Sequence, residues 1–273
     1  MLEIGKVNMI DNIKFKTEPK QFVDGKPIFL ENANFKNFQE ELGKGLINKL
    51  KKFYKNFPWL YDFLFFVLNP ALFLGKSPQS IYQFMNKDAI VAEIGSGSKR
   101  LHHNIINVDI YPWKEIDVVA DAQDLPFADG SLDGVVSAWT VEHLKNPEKA
   151  VAEAYRALKP GGHIFLSTNF VYPYHPSPND YYRWSREGLL NLLSKFEVVE
   201  FKVAVGPTSA FLAVLQEWLA ILLSFNISKL KDIIWIMFVI LTFPIKFLDL
   251  ILVHYKTGES IAGGFYYVGK KND

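Results

Sequence analysis

The chain has 273 residues, 49% of them hydrophobic and 22% charged, which is enough apolar material for one large core and an appendage. A net charge of +1 makes no global electrostatic case for nucleic acid. The absence of cysteine excludes disulfides, thiolate zinc sites and cysteine nucleophiles, and the six histidines are scattered, so no metal is expected.

The opening, MLEIGKVNMIDNIKFK, is polar and lacks the apolar core of a signal peptide, so a cytoplasmic protein is expected. Phe22–Leu30 reads as a small hairpin turning at Asp24-Gly25. Residues 36–85 read as helical, with Lys44, Lys49, Lys51, Lys52 and Lys55 running into FPWLYDFLFFVLNPALFLG. Lysines followed by rings suit an interfacial membrane helix, and a core-packing helix with a solvated lysine face fits the same residues.

Asp88–Gly97, DAIVAEIGSG, is a short run apolar on both faces followed by Gly-Ser-Gly, which suits a buried parallel strand ending in a tight, ligand-approachable turn. In open α/β sheets ligands bind at that end of a strand. A dinucleotide loop would carry a third glycine where Arg100 stands, so a nicotinamide cofactor is disfavoured. Further strands are expected at Ile105–Asp109, Asp117–Ala120, Leu132–Ala138, His163–Thr168 and Phe196–Val205. A helix is expected over Pro147–Leu158, and another is expected after a Ser185 cap. Strands alternating with helices predict a parallel sheet with crossovers. Between Gly97 and Asp117 there is too little chain for full crossover helices, so one sheet face is expected to need cover from residues 36–85.

Thr208–Phe225 and Leu230–Val253 are two strongly apolar helical segments, interrupted by Glu217 and Pro244. They predict a helical hairpin lying in one leaflet, or a buried lid, before strand character returns at Ile261–Lys270.

The series AEIGSG, NVDI, VVADAQDLPFADGSLDGVVSAWTVEHL and AYRALKPGGHIFLST resembles the class I S-adenosylmethionine-dependent methyltransferases, in particular their type 11 methyltransferase-domain subgroup. The resemblance implies a Rossmann-like seven-stranded, mostly parallel sheet whose last strand is antiparallel, with S-adenosyl-L-methionine as cofactor. It divides the chain into an N-terminal extension with basic and aromatic helices (1–85), a methyltransferase domain (86–206 and 257–273) and an apolar hairpin insertion between strands six and seven (207–256). It implies that Glu93, Gly95 and Gly97 organise the cofactor's amino-acid end, that Asp109 holds the ribose and that Asp121 and Ala122 read the adenine. Gln123 lines the ring, and Ala138 and Trp139 wall cofactor from acceptor.

The loop NFVYPYHPSPNDYYRWS resembles a segment of methyltransferases from surface-glycan and lipid pathways. His175 is the expected general base, because its ordinary pKa lies near neutrality. Asp180 and Arg183 are expected to hold substrate or pin the loop, and Tyr181, Tyr182 and Trp184 to stack on a sugar or prenyl ring. The expected reaction is O-methylation of a lipid-linked, glycan or other membrane-proximal acceptor by a protein peripheral on the inner face of a membrane. The alternatives are a small-molecule or quinone-type methyltransferase with a hydrophobic lid, and a non-catalytic membrane-associated scaffold. No nucleic-acid partner is expected, because SAWT stands where a base methyltransferase carries its signature.

Overall fold

A computed structural model describes residues 13–31, 66–86 and 88–273. Among them, nine strands form one sheet in the order β1-β2-β5-β4-β3-β6-β7-β9-β8. The strands are β1 (Gln21–Val23), β2 (Lys26–Ile28), β3 (Val91–Ile94), β4 (Ile105–Asp109), β5 (Val118–Val119), β6 (Leu132–Ala138), β7 (Leu158–Asn169), β8 (Phe196–Val205) and β9 (Gly264–Lys271). Seven of these, β3–β9, are the expected sheet, and β9 runs antiparallel to both β7 and β8. The count rises to nine because the Asp24-Gly25 hairpin, both turn residues at positive φ, joins the β5 edge through Ile28 opposite Val119.

One face of the sheet is covered by α1 (Pro147–Ala157) and α2 (Arg186–Leu192). Ala150, Val151, Ala154 and Ala157 of α1, with Leu189 of α2, bury against Ala92, Ile106, Val135 and Ile164. Ser185 caps α2 by accepting from the Gly188 amide. No helix separates β3 from β4 or β4 from β5, as the short spacing requires.

The opposite face, with Val91, Ile105, Val136 and Phe165, is covered by the 3-10 helix Pro78–Phe84 through Ile81, and by Met85. The upstream cover expected of residues 36–85 is thus present in its last turns, while residues 36–65, including the lysine run, lie outside the described residues. Asn69–Ser77 is not helical, contrary to expectation. Pro70 lacks the amide a helix needs, Phe73 pairs with Val205 as an isolated bridge, and Gly75 lies within 2.9 Å of the Ala204 backbone, counted from where a Cβ would stand.

Between β8 and β9 stand α3 (Pro207–Leu223), α4 (Ser228–Thr242), a 3-10 turn (Phe243–Leu248) and α5 (Asp249–Leu252). β8 ends, and β9 begins, beside the end of β7, because Asn169 pairs with Gly264 and Gly264 with Val205. The hairpin therefore leaves the sheet at the edge where β3, β4 and β6 also end.

Candidate active site

At that edge lies an open cleft of about 500 Å³, lined by Gly95, Gly97, Asp109, Ala122, Trp139 and His143 among others, a size suited to a small-molecule cofactor. Gly95 and Gly97 follow β3 with φ of +72° and +62°, a region that costs side-chain-bearing residues steric strain. A Cβ on Gly95 would collide with Thr140, whereas one on Gly97 would meet open space.

Asp109 sits at the tip of β4. Its Oδ2 accepts from the Gly97 amide at 2.9 Å and its Oδ1 from the Tyr111 amide at 2.9 Å. Burial raises the Asp109 pKa, and those amides partly offset it. Asp109 lines the cleft with the acceptor capacity that these amides leave. Glu93 is 4% exposed and does not line the cleft. Burial pushes its carboxyl up to about 8, against the pull of Arg100, and its Oε2 has no hydrogen-bond partner among the described residues.

Of the residues expected at the adenine end, Ala122 lines the cleft while Asp121 and Gln123 do not. Asp121 Oδ1 instead accepts from the Gln123 amide at 2.8 Å and from its side chain at 3.1 Å. The other lining groups there are Ile110, Tyr111 and Trp113, which the sequence reading missed. Their signal was two rings directly after the strand-tip acid.

Ala138 ends β6, beside the cleft wall rather than in it. Trp139, next in the chain, holds φ at +55°, uncommon for a bulky residue and of the kind that clusters at functional sites. Its ring packs on Phe73, with centroids 5.3 Å apart, and against Gly264. His143 also lines the cleft, and its Nδ1 lies 2.7 Å from the Asn179 carbonyl. A carbonyl only accepts, so Nδ1 carries a proton, and in the neutral ring the lone pair is on Nε2.

The remaining predicted residues lie behind this wall. His175 does not line the cleft, and its Nε2 is 3.2 Å from the Asn169 amide nitrogen. Burial lowers its pKa, and the Asp180 carboxylate partly opposes this. Asp180, its side chain 1% exposed, forms a two-pronged pair with Arg183 at 2.5 and 2.6 Å and accepts from the His175 amide. Arg183 also donates to the carbonyls of Tyr172, Pro173 and Tyr182, and its bonds to Asp180, with the His175 amide, hold the Asp180 carboxyl down to about 2. The expectation that Asp180 and Arg183 hold substrate or pin the loop resolves to pinning, because their charged atoms are spent inside it. Tyr181, Tyr182 and Trp184 do not line the cleft either. Tyr182 stacks on Trp184 at 5.1 Å, and Trp184 packs against the core. The loop meets the cleft instead through Pro176, Ser177 and Pro178.

Glu142 is fully buried, and burial raises its pKa. Its oxygens accept from Thr168 at 2.9 Å and Asn169 at 2.7 Å. Ligand atoms of Glu142, His143 and His175 lie within 4.8 Å of one another. However, the Glu142 oxygens and His175 Nε2 are already engaged by Thr168 and Asn169, so this is a hydrogen-bonded array rather than a preformed metal cradle.

Residues 92–166 match the family described as "Methyltransferase domain". The chain is 36% identical over 109 residues to the chloroplastic 2-methyl-6-phytyl-1,4-hydroquinone methyltransferase of Arabidopsis thaliana, covering 35% of this chain and 30% of that one. It is 45% identical over 53 residues to a ubiquinone/menaquinone biosynthesis C-methyltransferase of Brucella canis, covering 19% of each. With the spinach (Spinacia oleracea) hydroquinone methyltransferase it shares 27% identity over 189 residues, 55% of this chain and 53% of the relative. The chain thus spans at most about half the length of these curated relatives. Among solved structures, a [4+2]-cyclase is similar with a TM-score of 0.48 and 15% identity, covering 78% of this chain and 94% of that one. The motif series, the sheet order and the family match agree. Residues 92–166 match a methyltransferase domain, and the motif series there is similar to that of the class I S-adenosylmethionine-dependent methyltransferases.

Proposed function

We propose that this protein transfers a methyl group from S-adenosyl-L-methionine to a small, largely apolar acceptor of hydroquinone type. The observation that carries the reading is Asp109, a carboxylate oriented by two backbone amides at the tip of β4, facing a glycine loop that a Cβ on Gly95 would fill. Its free lone pairs suit paired ribose hydroxyls. The unpartnered Glu93 oxygen suits a nearby cationic ammonium, which would draw its pKa back down. Tyr111, Trp113 and Ala122 offer flat apolar walls for a base. When bound, the cofactor supplies an electrophilic methyl on a sulfonium.

On the acceptor side the chain supplies Trp139, Leu144, Pro176 and Pro178 as apolar walls and His143 as the polar group. With Nδ1 protonated, His143 Nε2 can accept the proton of an attacking hydroxyl, and the methyl moves to the acceptor atom as that proton leaves. Where the acceptor atom is carbon, the same nitrogen takes the ring proton or that of the activating hydroxyl. His175 and Glu142 hold the loop and the wall behind it. The relatives named for hydroquinone and quinone methylation support an acceptor of this kind. A glycan acceptor has less support, because the rings expected to stack on it are not among the residues that line the cleft.

Calorimetry with S-adenosylhomocysteine tests the cofactor half: Asp109→Ala is expected to weaken binding about thirtyfold, ~2 kcal/mol. Transfer of labelled methyl to prenylated hydroquinones, measured against glycan acceptors, tests the other half. No binding by the unaltered chain would return the reading to the non-catalytic scaffold.

A further inference from the structure

We infer that the helical hairpin between β8 and β9 inserts into one leaflet of a lipid membrane and presents the cleft to acceptors dissolved there; the second clause rests on the methyltransferase reading, the first does not.

The argument begins with where the hairpin keeps its polar groups. Between Asp232 and His254 only two residues are charged, Lys246 and Asp249, and both are buried. Asp249 accepts from the amides of Thr208 and Ser209 at 2.7 and 2.8 Å, capping the start of α3. Lys246 Nζ donates to the carbonyls of Phe66 and Asn69 at 2.6 and 3.0 Å and sits between the rings of Phe66 and Phe243. Gln216 and Thr242 bond to each other across the hairpin at 2.7 Å.

The outward positions are the reverse. On α3 they are Phe211, Val214, Trp218 and Ile221, one helical stripe, with Trp218 55% exposed. On α4 the stripe is Ile233, Met237 and Ile240, and at the tip Phe225 is 82% exposed. Polar groups turned in and paired, with apolar stripes turned out along both helices, is the arrangement hydrocarbon selects and water opposes. Ser228–Leu252 is also long and apolar enough by composition to cross a membrane, yet only 22% of its most apolar window is buried.

Length and anchoring set the mode. A 17-residue α3 is about 25 Å long, short of a hydrocarbon core of ~30 Å. Asp249 closes the base of the hairpin on the start of α3, Lys246 ties that base to the segment Phe66–Asn69, and Pro244 interrupts the second arm. Lys229, exposed near the tip, and the 2.5 Å pair of Lys231 with Glu217 are placed for headgroups. The hairpin leaves the edge where β3, β4 and β6 end, so a membrane on it faces the cleft mouth. This makes the protein peripheral on a membrane face.

The test is flotation of the full chain with phosphatidylcholine/phosphatidylglycerol vesicles. The unaltered chain is expected to float, and a Phe211→Ser, Trp218→Ser, Ile221→Ser, Phe225→Ser variant to lose vesicle partitioning at least tenfold. Helical circular dichroism and S-adenosylhomocysteine binding, both kept in that variant, report an intact fold. Single Phe225→Ser, at the exposed tip, covers the case in which the fourfold variant fails to fold and is expected to lose partitioning severalfold. An unaltered chain that stays in the soluble fraction overturns the inference, as does a chain whose outward stripes govern dimerisation instead of flotation. Flotation without cofactor binding would sink the methyltransferase reading and leave the lipid surface standing.

Discussion

On the β3–β4 side of the cleft stand two glycine positions and one carboxylate held by amides, with Ile110, Tyr111 and Trp113 beyond the strand tip. On the β6–β7 side they are side chains, Trp139 and His143, backed by a second row of side chains from the loop after β7. The first wall is made by backbone geometry, and local sequence dictates it. The second is made by packing between segments far apart in the chain, so which of its residues face the cavity depends on the whole fold.

The sharpest way to break the first wall is Gly95→Ala, which combines a positive φ with a collision against Thr140. It is expected to weaken S-adenosylhomocysteine binding about a hundredfold or more, roughly 3 kcal/mol, by calorimetry. Gly97→Ala, with a similar φ and open space, carries only backbone strain of about 1 kcal/mol. Equal losses for the two would mean that contact with Thr140 does not matter.

On the second wall, His143→Ala is expected to lower turnover about a hundredfold with cofactor affinity kept. His175→Ala, one layer back, is expected to cost about tenfold, acting through the loop that carries Pro176 and Pro178. A kcat-against-KM split separates them, because loss of the proton-accepting nitrogen lowers kcat alone, while a displaced loop changes KM as well. If His175→Ala proved the more damaging, the residue singled out from sequence would be the base after all.

This contrast explains what was legible. Gly95, Gly97 and Asp109 were readable because a tight turn and a strand-tip acid leave a local pattern. So was the shortage of crossover helices, and with it the need for Ile81 and Met85 on the second face. Asp180, Arg183, Tyr182 and Trp184 carry residue types suited to substrate binding, and nothing local says that the pair is spent inside the loop or that Tyr182 stacks on a Trp184 packed against the core. His143 was visible as part of a motif, but its place in the wall follows only once Asn179 is seen to fix its tautomer.

The loop's lock offers a smaller test. Asp180→Asn removes one partner of a buried ion pair and is expected to lower stability by about 2 kcal/mol in urea unfolding. Its carboxyl is held down to about 2, below its free value of 3.8, so the stabilisation is complete above about pH 4 and is lost as pH falls toward 2. The variant should lack that acid limb while binding S-adenosylhomocysteine as the parent does.

The smallest effect belongs to the cofactor side and has the opposite sign. Glu93 has its pKa raised by burial from 4.5 to about 8. The folded chain therefore holds a proton that the unfolded chain releases, and this group favours folding most below pH 4.5, with its contribution falling as pH rises toward 8. The thermal midpoint of the ligand-free chain should decline over that range. Glu93→Gln keeps the shape without the titration and should flatten the decline. A ligand bearing a cationic ammonium should flatten it in the parent, because the charge favours the ionised carboxylate, and should stabilise the variant less. If S-adenosylhomocysteine raised the midpoint of parent and variant equally at pH 8, Glu93 would be a buried acid of the glycine loop with no part in holding the amino-acid end.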